Sequence, residues 1–153
     1  MIEKGDFVLM DYGAGYCDYR SDMTRTVVMG EPTQEQLDLY ALVRRTHEEC
    51  VAAIHPGVEG NDIFKLSKKI IGDAGYGDYY NHGLGHGVGI DIHELPNFNR
   101  SKNTIEIGSV VTMEPGVYLP GVGGVRLEDY GVVTENGYEP FTKTPHDLHV
   151  IDC

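Results

Sequence analysis

Residues 5–11, GDFVLMD, and residues 108–114, GSVVTME, carry one pattern twice: Gly first, Val at the fourth place, Met sixth and a carboxylate seventh. A second carboxylate follows each copy ahead of a Val-Val pair: Asp22 before Val27 and Val28, and Glu128 before Val132 and Val133. β-branched and aromatic residues after a glycine turn read as strands. Residues 7–13 and 23–29 are therefore expected to pair as a hairpin, with GYCDYRS as the turn between them. Residues 109–118, 125–133 and 138–141 are expected to form further strands, the last following an Asn136-Gly137 turn signal. Seven-residue matches are weak proof of duplication by themselves. What matters is that both copies put two carboxylates on neighbouring strands.

Between the copies the periodicity changes to helical. Thr33 and Gln36 have capping-box spacing, and Leu39, Leu42, Val43, Cys50, Ala53 and Ile54 follow at three- to four-residue steps. This predicts a helix over 34–54, stopped by Pro56-Gly57. Asn61 is expected to cap a second helix, with Ile63, Leu66, Ile70 and Ala74 facing inward and Gly75 ending it. No Pro/Ser tract divides the 153 residues, so a single domain is expected.

Composition narrows the function classes. The chain holds 24 acidic and 12 basic side chains, a net charge of −12. That balance argues against a nucleic-acid backbone or an anionic membrane as partner. No apolar run approaches the ~20 residues of a membrane span. The N-terminal MIEKGDFVLM has no basic stretch ahead of an apolar core, as a signal peptide would. Cys17, Cys50 and Cys153 are far apart and form no CxxC, which favours a reducing compartment. A cytoplasmic protein is the expectation.

Asp11 and Glu114 close otherwise apolar strands, where an ionised carboxylate is costly without a positive partner. Few basic residues lie near apart from Arg20, Arg25 and Arg126. Divalent cations are the economical neutraliser of such a group. The segment HGLGHGVGIDIH, residues 82–93, adds three imidazoles separated by Gly. The glycines flanking His86 clear bulk from both sides of it, and a neutral imidazole is the commonest metal ligand among side chains. His86 is accordingly expected to ligate, while His82 and His93 suit supporting or substrate-facing places. His47, His55, His146 and His149 receive no role, and Cys17 is read as a bystander. Four carboxylates with one imidazole and no thiolate make a hard, oxygen-rich site, too acidic for one ion. Two ions bridged by shared carboxylates, about 3.5–4 Å apart, activate water for hydrolysis in such sites. Manganese is the expected metal, with cobalt, iron or zinc as alternatives. HExxH, GxxxxGK[ST] and GxSxG are all absent.

The blocks DYGAGYCDYRSDMTRT (11–26), HGLGHGVGIDIHELP (82–96), MEPGVY (113–118) and GGVRLED (123–129) resemble the pita-bread metallopeptidases. That superfamily includes methionine aminopeptidase, aminopeptidase P, Xaa-Pro dipeptidase (prolidase) and creatinase. The resemblance implies an α+β pita-bread fold, here partial: a mostly antiparallel curved sheet with helices on its outer face. It implies that Asp11, Asp22, His86, Glu114 and Glu128 ligate two metal ions, with Asp22 and Glu128 bridging. Arg126, Tyr118 and the HELP sequence look most like the Xaa-Pro dipeptidase and aminopeptidase P branch. A peptide with proline at its second position is the implied substrate. Glu114 would accept and pass on the proton of the attacking water. His93 would bond substrate and tetrahedral intermediate, His82 would line the proline pocket, and Arg126 would orient Glu128 or act by charge. Family members carry a sizeable segment ahead of the Gly5 strand, including a further active-site His. The chain is therefore expected to be the C-terminal part of a catalytic domain, with sheet edges exposed and pairing of two chains one way to cover them. The alternatives are a non-catalytic peptide- or protein-binding domain that keeps the metal site, or methionine-aminopeptidase-like activity.

Overall fold

Gly5 turns the chain with a left-handed φ of +93° and its N–H donates to the Met29 carbonyl at 2.7 Å, which sets the start of the first strand. The structure, a computed structural model, describes residues 1–152; Cys153 lies outside the described residues. β1 (Phe7–Tyr12) is followed by a small hairpin of β2 (Gly15–Tyr16) and β3 (Tyr19–Arg20), then by β4 (Met23–Met29). β4 returns antiparallel to β1 with Asp11 opposite Thr24. The connection is thus more than a simple turn: Cys17 and Asp18 take φ of 48° and 69° at its tip, the left-handed pair that suits a two-residue hairpin.

α1 (Gln34–Ala52) begins at a capping box. The Thr33 hydroxyl accepts from the Gln36 N–H at 3.2 Å, and the Gln36 side-chain carbonyl accepts from the Thr33 N–H at 2.9 Å. Gln36 also donates to the Gly5 carbonyl at 2.7 Å, fastening the helix to the head of β1. α2 (Gly60–Asp73) starts two residues earlier than an Asn61 cap would give. Glu59 stands at the cap without capping the helix, its carboxylate accepting from the Thr104 hydroxyl at 2.9 Å, and the Asn61 amide donates instead to the Asn99 carbonyl at 2.8 Å. The buried stripe shifts accordingly to Ile63, Phe64, Ser67 and Ile71 in place of Ile70 and Ala74, because Phe64 packs edge-on to the buried ring of Tyr80. Gly75, at φ +88°, ends the helix as expected.

The remaining strands are β5 (Gly85–Gly87), β6 (Glu94–Phe98), β7 (Val110–Met113), β8 (Gly116–Leu119), β9 (Gly123–Arg126), β10 (Asp129–Thr134), β11 (Gly137–Pro140) and β12 (His149–Ile151). They form a five-stranded sheet in the order β11-β10-β7-β5-β6 and a β8-β9 ribbon, while β12 joins β4 in parallel to give β1-β4-β12. The two long strands expected over 109–118 and 125–133 each break in the middle. One break falls at Glu114-Pro115, where proline has no N–H to continue a ladder. At the other, Glu128 turns to the neighbouring sheet and donates its N–H to the Thr24 carbonyl at 3.1 Å. A carboxylate sits at each break.

The sequence repeat has a spatial counterpart. β7 pairs antiparallel with β10 as β1 does with β4, and Gly108 mirrors Gly5, with φ +84° and a bond to the Val133 carbonyl at 2.8 Å. The two units meet where Thr24 faces Glu128. They differ at one edge: β7 is flanked by β5, whereas β1 has no further partner among the described residues and leaves Met10 and Tyr12 exposed. α1 lies against β7, β8, β9 and β11, and the shared core includes Leu39, Val43, Phe98, Val111, Met113 and Leu127.

β5 fits between its neighbours only because it is nearly bare backbone. A Cβ on Gly85 would lie 2.2 Å from the Thr112 carbonyl oxygen, and one on Gly87 2.4 Å from that of Leu95. Gly85→Ala is therefore expected to lower stability by about 1–3 kcal/mol, the usual range for overpacking. Urea denaturation monitored by circular dichroism checks this.

Candidate metal centre

Five elements deliver one acidic or imidazole side chain each to a single cavity of about 440 Å³: Asp11 from β1, Asp22 from the approach to β4, His86 from β5, Glu114 after β7, and Glu128 before β10. The last two sit where the strands break, so their side chains leave the ladder and turn into the cavity. His86 is held in one orientation. Its backbone N–H donates to the Thr112 hydroxyl at 3.0 Å, and its Nδ1–H donates to the Gly87 carbonyl at 3.0 Å. That leaves the Nε2 lone pair facing the acids, 3.3 Å from Glu114 Oε1 and 3.7 Å from Asp22 Oδ2. A carbonyl fixing Nδ1 while Nε2 stays free is how a metal-binding imidazole is commonly prepared. Asp22, His86 and Glu128 together offer three ligand atoms within 4.8 Å of one another, all from buried residues.

The electrostatics agree with the donor chemistry. Burial raises the Glu114 carboxyl well above the ordinary carboxylate range; Arg126 opposes this, and Asp22 and Asp11 add to it. Glu128 is also raised, first by burial and then by Glu114, against the bond it accepts from the Thr24 hydroxyl at 2.6 Å. Asp22 is raised by burial and by Asp11. Carboxyls that repel one another in a dry site keep protons at neutral pH, or give them up to a cation. Four crowded oxygen donors and one free imidazole nitrogen fit hard divalent ions.

Beside this cavity lies a second, of about 640 Å³, which shares Asp11, His86, His93 and Glu114 and is otherwise lined by residues that include His82, Tyr118 and Arg126. Here a hydrogen-bond relay runs along the wall. His82 Nδ1–H donates to the Gly83 carbonyl at 2.7 Å, so Nε2 accepts from the Tyr118 hydroxyl at 3.0 Å, which in turn accepts from Arg126 at 3.1 Å. Burial lowers the His82 pKa, keeping it neutral for that role. Arg126 goes on to bond the Asp11 carboxylate and the Thr24 hydroxyl, and its Nε stands 3.8 Å from Glu114. It makes no direct bond to Glu128; Thr24 does. The His93 ring lies 4.2 Å from that of His86, centroid to centroid, and borders both cavities.

Behind Glu128 is a network that motif reading passed over. Asp129 accepts from Arg25 at 2.7 Å, Thr142 at 2.6 Å and His146 at 2.7 Å, with His47 Nε2 at 3.4 Å. Burial works to raise its carboxyl, but the bonds from His146, Thr142 and Arg25 win and hold it well below the usual range. Arg25 also donates to the carbonyls of Glu128 at 2.6 Å and Thr24 at 2.9 Å. The adjacent acids therefore divide the work: Asp129 is saturated by cationic and hydroxyl donors and braces the backbone, and Glu128 faces the cavity. His47, buried and pushed down to about 4 by desolvation, stays neutral there. The only sequence signal for this brace is an acid and a base, Arg25 and Asp129, set on two inner strands.

Residues 1–135 match the family described as metallopeptidase family M24. The Xaa-Pro dipeptidase of Pyrococcus furiosus is 45% identical over 148 residues, 96% of this chain and 42% of that protein. Among solved structures, the prolidase from Pyrococcus horikoshii OT3 superposes with a TM-score of 0.93 at 42% identity, covering 96% of this chain and 43% of that one. The X-Pro aminopeptidase from Thermotoga maritima gives 0.94 at 34% identity, covering 98% and 43%. The fold is thus the pita-bread fold of these enzymes, and the chain spans about 42% of the length of the curated relatives it matches.

The proton balance of the site has a measurable sign. Carboxyls raised in the folded state above their unfolded pKa bind extra protons there, so the metal-free fold loses stability as pH climbs through that window. Divalent cation binding displaces those protons and removes the penalty. The melting-temperature gap between Mn²⁺-loaded and EDTA-treated protein is expected to widen from pH 6 to pH 8. Calorimetric titrations in buffers of different ionisation enthalpy are expected to show net proton release at pH 7.

Proposed function

The chain belongs to metallopeptidase family M24, and on that premise we propose that its cleft hydrolyses Xaa-Pro peptide bonds with two divalent ions, most naturally manganese. Asp11, Asp22, His86, Glu114 and Glu128 would hold the ions. The observation that carries this reading is the convergence of these five side chains on one cavity beside a second one walled by His82, Tyr118 and Arg126. Two ions bound there supply Lewis acidity and lower the pKa of water enough for attack at neutral pH.

The chain's own groups account for the proton and the substrate. Glu114, which lines both cavities, accepts the proton of the attacking water and delivers it to the leaving proline nitrogen. Thr112 donates to Glu114 Oε1 at 3.4 Å and accepts from the His86 backbone, linking the proton carrier to the imidazole's position. His93, at the junction of the cavities, donates to the scissile carbonyl oxygen as it gains charge. The second cavity takes the proline ring against His82 and Tyr118. Arg126, tied to Asp11, Thr24 and Tyr118 at once, keeps the walls of the two cavities in register.

Proline release from Ala-Pro and Gly-Pro by Mn²⁺-loaded protein is the test. Turnover abolished by chelation is the expected result, with Glu114→Gln lowering kcat by about 10²–10⁴-fold, the range for removing a general acid–base group. Two tightly bound ions without turnover would leave a peptide-binding domain in place of the hydrolase. Preference for Met-Ala over Ala-Pro would move the assignment to the methionine aminopeptidase type.

A further inference from the structure

Arg20 is the only Lys or Arg lining the cavity that holds Asp11, Asp22, His86, Glu114 and Glu128. It ends β3, and its backbone N–H donates to the Gly89 carbonyl at 2.8 Å, which moors the hairpin to the loop behind His86. The hairpin is closed at its base by Ser21, whose N–H donates to the Ala14 carbonyl and whose hydroxyl accepts from the Ala14 N–H, both at 2.9 Å. The guanidinium lies across Gly15: a Cβ there would be 2.9 Å from Nη1, so the absence of a side chain opens the slot it occupies. Its one polar contact is the Asp18 carbonyl at 3.5 Å, and no carboxylate lies within 4.0 Å among the described residues. Arg20 is exposed, so its guanidinium is open to solvent and pairs with none of the acids on this wall.

Resting on the metal-hydrolase reading above, the charges can be followed further. Two divalent ions offset the four carboxylates, which leaves Arg20 as uncompensated positive charge on this wall. The two cavities meet at Asp11, His86, His93 and Glu114 and then diverge, with His82 and Tyr118 on one side and Arg20 on the other. A dipeptide cleaved at the junction, with its proline against His82 and Tyr118, places the first residue's side chain on the Arg20 side. We infer that Arg20 is a specificity-determining residue that selects an acidic residue, Asp or Glu, ahead of proline. A guanidinium meets a carboxylate with two parallel hydrogen bonds, and the same charge repels a lysine or arginine side chain at that place.

The test compares kcat/KM of the Mn²⁺-loaded chain for Glu-Pro, Asp-Pro, Ala-Pro and Lys-Pro at low salt. Glu-Pro is expected to exceed Ala-Pro about two- to fivefold, the scale of an exposed charge pair, and Lys-Pro to fall below it. Arg20→Lys is expected to keep part of the preference, Arg20→Ser to bring the Glu-Pro to Ala-Pro ratio near one, and Arg20→Glu to invert the order in favour of Lys-Pro. A merely structural role for Arg20 would shift all substrates together. Equal rates for Glu-Pro and Ala-Pro in the unaltered chain would overturn the inference while the hydrolase reading stands. Failure to cleave Ala-Pro at all would overturn both.

Discussion

Gathering four carboxylates around one cavity, three of them largely buried and Asp11 half-exposed at its rim, is the constraint on which the rest of this structure depends. Glu128 is 2% exposed and Asp22 9%, and both are raised by burial and by their acidic neighbours. No side chain cancels that charge: Arg126 touches Asp11 and stands near Glu114, and Thr24 gives Glu128 a single neutral donor. Such an arrangement is tolerable as a partly protonated cluster or as a cation cage, and the fixed tautomer of His86 belongs to the second.

Holding the acids close requires the two strand pairs to be locked together, and that is the task of Arg25 and Asp129. One guanidinium reaches two backbone carbonyls at the junction, two more in the segment 144–145 and the Asp129 carboxylate. The C-terminal segment is drawn into the same node through Thr142 and His146 before β12 joins β4. Neighbouring acids at 128 and 129 thus have opposite proton affinities, because one faces like charges and the other faces donors.

Much of the fold was legible in local chemistry. The capping box at Thr33 and the left-handed Gly75 follow from residues within a few positions of one another, and β4 directly succeeds the small hairpin that follows its partner β1. Errors arose where distant contacts decide. Asn61 is a good cap by propensity, yet its amide serves Asn99. The segment 85–87 is glycine on both sides of His86, a composition that weakens a strand, yet it becomes an inner strand between β7 and β6. The brace of His47 and His146 on Asp129 carries no motif, since its members are spread along the chain from position 47 to position 146.

The sequence by itself determined which side chains could bear the chemistry: carboxylates on apolar strands, an imidazole between glycines and a repeat that presents them twice. These are properties of residue type and spacing, and they survive without coordinates. Only the tertiary structure decided that Glu114 and Glu128 sit at strand breaks, that Thr24 and not Arg126 bonds Glu128, and that Arg20 faces the cavity without an acidic partner. Each of these depends on where one strand pair meets another, and that placement is fixed by packing and backbone hydrogen bonds between segments about a hundred residues apart.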